Sequence, residues 1–478
     1  MLIIYFAGTF AIAIANYFIA NKRISILFNL IFLVLQIGVN IHAFFNYHSE
    51  EINYFRYDAI GLLCLSILTI ISLGTFYHSY FYHKRNKQSF QQERAYYSAL
   101  MILIVCMTGV YLADHAAILW AFIEGTTLTV AMLIYHERTN TALEATWKYI
   151  FICSIGIAFA FAGVLFLAMA SHDAGIEVLS ISRLVAEAAK LDPIWLKIAF
   201  VLTLIGFSAK LGVFPFYTVG IGAQMVAPFP INALFATTLK NTGFVGVYRV
   251  FSIVTHSEAI NWSENVLILV GLVSLLVAAA QLSIVANISR ALAYSSLEHM
   301  GLICLGLAVG GLGYYTVIFH LVLHSFAKSG FFFQTGQIFQ QYQTFQLEKM
   351  GNYFKQNPMG GLVVIFAFLC LMALPPSGLF ITEIMLFRAI FERGQTAVGI
   401  IALILLTVIL YNLTKRIFAI LYANENQVVD NQTILIAPNF RKREAFSQVL
   451  LLGLVVYLGF NPPDFFVRLL VEAARVLQ

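Results

Sequence analysis

Ten ionisable side chains lie inside stretches that are otherwise apolar: Glu124, Lys148, Lys210, Lys240, His299, His320, His324, Lys328, Glu383 and Lys415. At about 2 kcal/mol each, burying them all would cost on the order of 20 kcal/mol, more than the net stability of a typical protein. Static packing does not account for such a set, whereas proton movement does. An ammonium in a low-dielectric site is destabilised and is restored by a nearby carboxylate, so it exchanges a proton when that partner moves. Lys210 and Lys240 fall in consecutive apolar runs, separated by Pro215, Pro228 and Pro230 and several glycines, and Glu124 in WAFIEGTTL is the natural partner for Lys210. In FHLVLHSFAKSGFFF, His320, His324 and Lys328 recur at i, i+4 and i+8, which sets them on one helical face. Histidine passes protons near neutral pH. No metal site is expected here, because two histidines are local and the sequence offers no third ligand beside them. His299 shares a turn with Ser296 in AYSSLEHMG, and Glu383 follows the Pro375, Pro376 and Gly378 break in LPPSGLFITEIMLF. Lys148 and Lys415 lie toward the ends of their runs, where snorkelling to the interface is the competing explanation.

The elements that must hold these residues are membrane helices. Of 478 residues, 60% are hydrophobic and 11% charged, and the mean hydropathy of +0.84 excludes a soluble globule, whose charged share is about 25%. Apolar runs long enough for a ~30 Å hydrocarbon core recur near 1–20, 24–46, 57–81, 97–112, 115–135, 146–170, 194–217, 228–254, 264–286, 291–311, 313–340, 360–391, 397–422 and 445–470. They predict an all-α polytopic protein of about fourteen transmembrane helices, with the seventh and twelfth broken at prolines. Basic residues gather in alternate loops: Lys22 and Arg23; Lys84, Arg85, Lys87 and Arg94; Arg138; Arg290; Lys349 and Lys355; Arg441, Lys442 and Arg443. The positive-inside rule then puts both termini outside, with an uncleaved first helix. A net charge of +5 spread over short loops speaks to orientation and not to nucleic acid. Five isolated cysteines, without C-x-x-C spacing, predict no metal or iron–sulfur centre on this chain. The loops 171–193 and 423–444 are the longest, and 175–192 is patterned as a short amphipathic surface helix.

The centre reads as two related halves. One carries Glu124, Lys148, Lys210 and Lys240, the other His299, Lys328, Glu383 and Lys415, and each has a proline-broken helix beside an ionisable group. Five helices per half force opposite topologies, the pattern of an inverted repeat. The expected divisions are a three-helix segment 1–94, a first half 95–260, a second half 261–425, and a final loop and helix 426–478.

The blocks AFIEG, AKLGVFPF, APFPINALFATTLKNTGFVGVYR, LAYSSLEHMG, HLVLHSFAKSGFFFQTG and LPPSGLFITE occur in order over roughly 95–425. Together they resemble the antiporter-like subunits shared by respiratory complex I, membrane-bound hydrogenases and multisubunit cation/proton antiporters, with LPPSGLFITE most similar to the F-type members of hydrogenase-4. The resemblance implies that Glu124 gates Lys210, that Lys210 loads a proton, and that Lys240 links it to a central hydrophilic axis. It further implies that His299, His324 and Lys328 continue that axis to a terminal site at Glu383. It implies proton translocation in a bacterial inner membrane, as a non-catalytic subunit of a redox-driven complex. Cofactors would then be absent from this chain, and iron–sulfur, flavin or nickel–iron centres would belong to partner subunits. The alternatives are a Na⁺(K⁺)/H⁺ antiporter subunit, the membrane partner of a zinc protein taking up inorganic carbon, and a spacer that has lost conduction. The chain departs from the pattern at 217–224, where YTVGIGAQ replaces the family's Trp-Leu-Pro-Asp-Ala. Because the sequence ends soon after the fourteenth run, at Gln478, the lateral helix and extra spans of the distal complex I subunit are expected to be absent, which disfavours that member.

Overall fold

The computed structural model describes residues 1–86, 88–176, 178–423 and 442–478. Each predicted apolar run carries helix within those residues, some of it interrupted. The chain opens with α1 (Leu2–Phe18) and α2 (Lys22–Phe45), the latter capped by Asn21, whose side chain accepts from the Arg23 amide. A hairpin follows, β1 (Glu50–Glu51) against β2 (Phe55–Arg56), turned by Ile52 and Asn53 at φ of 64° and 58°. This is the one correction to an all-α class: the described chain is nearly, not wholly, helical. Next come α3 (Ala59–Asn86), α4 (Phe90–Leu112), α5 (Ala116–Ile134) and α6 (Asn140–Asp173). Ser89 and Gln92 form a capping box at α4, and Thr139 caps α6 through the Ala142 amide.

In the 175–192 segment only α7 (Ile181–Ala186) and a single 3₁₀ turn at 188–190 form, a shorter helix than the pattern predicts. Ile176 is instead tied back by its carbonyl to the Ser171 hydroxyl, and Ser180 pairs with His115 as a β-bridge, so extended backbone displaces the first helical turn. Then follow α8 (Pro193–Leu211), α9 (Thr218–Gln224), α10 (Phe229–Ala236), α11 (Thr238–Thr255), α12 (Ile260–Ile284), α13 (Ile288–Val309), α14 (Leu312–Tyr342), α15 (Tyr353–Gln356), α16 (Pro358–Leu371), α17 (Gly378–Glu392), α18 (Thr396–Tyr422), α19 (Lys442–Phe460) and α20 (Asp464–Arg475). The seventh and twelfth runs are broken as expected, into α8 and α9 and into α16 and α17. The eighth is broken too, at Thr237, and the last turns through 75° between α19 and α20, where one straight helix is predicted. Pro462 and Pro463 cannot continue a helix, which is the reason for that turn.

Ten of the described helices are long and apolar enough to cross a membrane, and eleven with the bent pair. The chain is a multi-span membrane protein. It divides into two compact units, one of residues 1–234, 238–266 and 468–478, the other of 235–237 and 267–467. In the first unit α6 and α8 meet through small residues: a Cβ on Gly206 would lie 2.6 Å from the Gly156 carbonyl oxygen and 2.5 Å from the Ala160 nitrogen. Close backbone approach of this kind is how helices associate in lipid, where apolar burial gives no drive. Of the predicted basic loop at 441–443 and the loop 423–444, residues 424–441 fall outside the described residues, and Lys442 and Arg443 belong to the first turn of α19. In the second unit α13 and α14 are enclosed along their whole spanning length, and Leu275, Leu302, Leu305, Leu386, Ile390 and Ala402 close one side of the core.

Candidate proton-transfer sites

In the first unit Lys210 sits in the last turn of α8, where the helix C-terminus favours a cation. Gly212 ends the helix at φ +78°, a conformation that suits glycine, and Pro215 prevents its resumption before α9. The Lys210 ammonium is buried and donates to the Tyr149 hydroxyl of α6 at 3.1 Å, with the Tyr149 ring centroid at 5.3 Å. Glu124 of α5, Cys153 and Cys106 lie near enough to act on the ammonium electrostatically. Glu124 is half-buried, and its Oε2 has no hydrogen-bond partner among the described residues. Lys240, buried in the first turn of α11, reaches the same break from the other side: a Cβ on Gly212 would lie 2.9 Å from Lys240 Nζ. Gly243 lets α11 press against the end of α8, since a side chain there would collide with the Leu211 backbone. The Tyr111 hydroxyl donates to the Thr238 carbonyl at 2.6 Å, a second bond to the first residue of α11 that ties α4 to the start of that helix.

In the second unit His299 of α13 and His320 of α14 share a hydrogen bond, Nδ1 to Nε2, at 3.1 Å. His320 Nδ1 in turn is 2.9 Å from Thr382 Oγ1 of α17, and the Thr382 hydroxyl donates to the Leu379 carbonyl at 2.9 Å. Glu383 brings a carboxylate oxygen to the same place, within 4.8 Å of both histidine nitrogens. The His324 ring lies 4.8 Å from that of His299, and the Lys328 ammonium donates to the Ser295 hydroxyl. His320, His324 and Lys328 are all buried on α14, as their spacing predicts.

Known proteins share this chain's pattern. The family model described as NADH:quinone oxidoreductase/Mrp antiporter, TM matches residues 113–410, more than half of the chain. The chain belongs to that family. It is 28% identical over 81% of its length to a hydrogenase-4 component F homologue of Methylacidiphilum infernorum, covering 83% of that protein. It is 26% identical over 77% of its length to an NAD(P)H-quinone oxidoreductase chain 4 of a Synechococcus strain, covering 70% of that protein. Among solved structures a chain of the membrane-bound sulfane sulfur reductase, an archaeal respiratory complex, superposes with a TM-score of 0.85 over 100% of this chain and 96% of that one. At 18% identity that likeness speaks to the fold.

The matched NADH:quinone oxidoreductase/Mrp antiporter segment contains nine of the ten singled-out residues, with Lys415 beyond it. Two of the ten are not brought into either site. Lys148 is exposed on α6, 70% accessible at its side chain, and pairs with Glu144 one turn earlier. Lys415 is exposed on α18. Both lie on the outward face of their helix, which hydropathy alone cannot distinguish from the inward one. Sequence reasoning also missed residues. Glu298, beside His299, is buried within electrostatic range of Glu383 and Lys328, with Oε2 unpartnered among the described residues. Its charge inside an apolar run was the available signal. Tyr149 and the buried pair of Arg249 with Asp58 were missed because their partners are 61 and 191 residues away.

Proposed function

We propose that this member of the family carries protons across a membrane, through Lys210 and Lys240 in one unit and the His299, His320 and Glu383 cluster in the other. The observation that carries the reading is the burial of two lysines at one helix break, with Glu124 in electrostatic range of Lys210. An ammonium buried at such a low-dielectric site depends on its carboxylate partner, so a change in Glu124 pairing would load or release the Lys210 proton. Tyr149 is the hydroxyl through which Lys210 would exchange its proton. Glu298 joins the set, while Lys148 and Lys415 serve at most at the exits.

The remaining features follow as parts of the same proposal. The fourteen helical runs form fourteen crossings, with α8–α9, α10–α11, α16–α17 and α19 each completing one across a break, and the central ten make two inverted five-helix halves. Alternating basic loops put both termini outside a bacterial inner membrane. Partners would be further membrane subunits of a complex I-like or hydrogenase-like assembly, in which any iron–sulfur, flavin or nickel–iron centres reside. Support comes from the named relatives, a hydrogenase-4 component and a quinone oxidoreductase chain.

The test is proton uptake by inverted vesicles energised through the purified assembly's own electron donor. Lys210→Ala and Lys240→Ala should each abolish it while electron transfer persists or slows. Uptake unchanged in both variants sinks the mechanism. Uptake that needs a Na⁺ or K⁺ gradient and no reductant moves the chain to cation exchange.

A further inference from the structure

The cluster of the second unit has the composition of a metal site as well as of a proton relay. His299, His320 and Glu383 come from α13, α14 and α17, 21 to 84 positions apart, so no local spacing announces them. One ligand atom from each lies within 4.8 Å of the other two. Two imidazole nitrogens bound to one ion at ~2.0–2.1 Å in tetrahedral geometry stand roughly 3.3 Å apart. His299 Nδ1 and His320 Nε2 are 3.1 Å apart already. The carboxylate oxygen, within 4.8 Å of both nitrogens, needs an inward shift of at most roughly 1.5 Å, which its side-chain torsions supply without backbone movement.

The hydrogen bonds also assign the tautomers. The single Thr382 hydroxyl proton is committed to the Leu379 carbonyl, so Oγ1 accepts, and His320 Nδ1 carries the proton it accepts. His320 Nε2 therefore has the lone pair, directed at His299 and the Glu383 carboxylate. A histidine whose far nitrogen donates to a fixed oxygen, itself anchored to a backbone carbonyl, is the outer-shell arrangement that orients metal-binding imidazoles. His299 enters the same set by moving its proton from Nδ1 to Nε2, with no net change of charge. Glu383 supplies one negative charge, and Glu298 lies in electrostatic range of it. The nearest like charge on the stripe, Lys328, is held at the Ser295 hydroxyl one turn of α13 before His299, and Glu298 lies in electrostatic range of it. Glu383 is the only half-buried ligand of the three.

The geometry points to a binding site for one divalent transition-metal ion of the Zn²⁺ kind, held by His299, His320 and Glu383. Two imidazoles and a carboxylate favour such an ion over Mg²⁺ or Ca²⁺, which take oxygen ligands. On the proton-transfer reading above, a bound ion would occupy the relay and fasten α13, α14 and α17 together, so Zn²⁺ would be an inhibitor of the second unit.

Tag-free protein, purified with its accompanying subunits and stripped with EDTA, is titrated with Co²⁺ as the spectroscopic probe. Visible ligand-field bands should saturate at one ion per chain and disappear on adding Zn²⁺. Glu383→Gln and His320→Gln, each near in shape to the original, should weaken binding more than tenfold. Thr382→Val, which spares all three ligands and removes only the orienting hydroxyl, should weaken it about 10- to 100-fold. Lys210→Ala should keep the bands whatever it does to transport, so the proton route is judged separately on the same samples. Absence of a saturable band overturns the site, as do bands that survive in Glu383→Gln and Thr382→Val.

Discussion

An ammonium group out of reach of water needs a partner for its charge, and at Lys210 the nearest partner is a phenol rather than a carboxylate. Tyr149 offers both its ring face and its hydroxyl, a neutral acceptor that tolerates the lysine in either protonation state. Tyr149→Phe keeps the ring and removes the hydroxyl. A hydrogen bond to a charged group is worth about 1.5–3 kcal/mol, so proton uptake should fall at least tenfold, less than the loss in Lys210→Ala. Equal rates for Tyr149→Phe and the unmodified chain in a vesicle assay would remove Tyr149 from the route. A second residue-scale expectation concerns Arg249. Its guanidinium holds Asp58 by two contacts, one at 3.1 Å, and also donates to the Tyr111 carbonyl at 3.3 Å. Asp58→Asn strands a buried cation and should lower stability by about 3–5 kcal/mol, read as a drop in melting temperature in detergent. Because this pair lies away from the lysines, transport per folded molecule should survive that change.

At the scale of elements, the breaks matter more than the spans. Gly212→Ala places a methyl group against Lys240 Nζ and forces an alanine to φ +78°, a strain of about 1–2 kcal/mol. Transport should fall by more than stability does, because the displaced group is Lys240 itself; the two are separated by measuring proton uptake and melting temperature on one preparation. The long helix α6 offers another check. Its 34 residues extend roughly 51 Å, well beyond a ~30 Å hydrocarbon core. Its first turns therefore project, and they carry the exposed Glu144–Lys148 pair. A membrane-impermeant amine reagent should modify Lys148 from the basic-loop side alone; protection from both sides would put it inside the bilayer after all. How legible all this was in the sequence follows from what each feature depends on. Helix positions were readable from apolar run length, and the breaks at Pro215 and Pro375 from proline chemistry. The break at Thr237 was not, because threonine is no helix breaker, and the Tyr111 hydroxyl that holds the start of α11 at the Thr238 carbonyl is far away in sequence. Likewise the α14 stripe was readable from 3.6-residue periodicity, but its meeting with Thr382 and Glu383 depends on tertiary packing. Lys148 and Lys415 mark the converse limit: a run of hydrophobic residues does not say which face of a helix is covered.

For the molecule as a whole, the proposed fourteen crossings predict that reporter tags at Met1 and Gln478 appear on the same, outer side. Opposite sides would require an odd number of crossings and would remove the inverted repeat from the reading. Much of the chain's surface bears on what it assembles with. In α2 and α18 only about a fifth of the most apolar stretch is covered (22% in each), leaving Leu27, Leu30 and Val34 on one helix and Ile400, Ile404 and Tyr411 on the other facing outward. Hydrocarbon tails solvate such side chains as well as another protein would, so these flanks confer no preference for a particular neighbour. Selectivity in assembly must then rest on shape and on the few polar groups among them, such as Thr407 and Lys415 on α18. A lysine that the fold leaves outside both sites would thereby help decide which protein sits beside it.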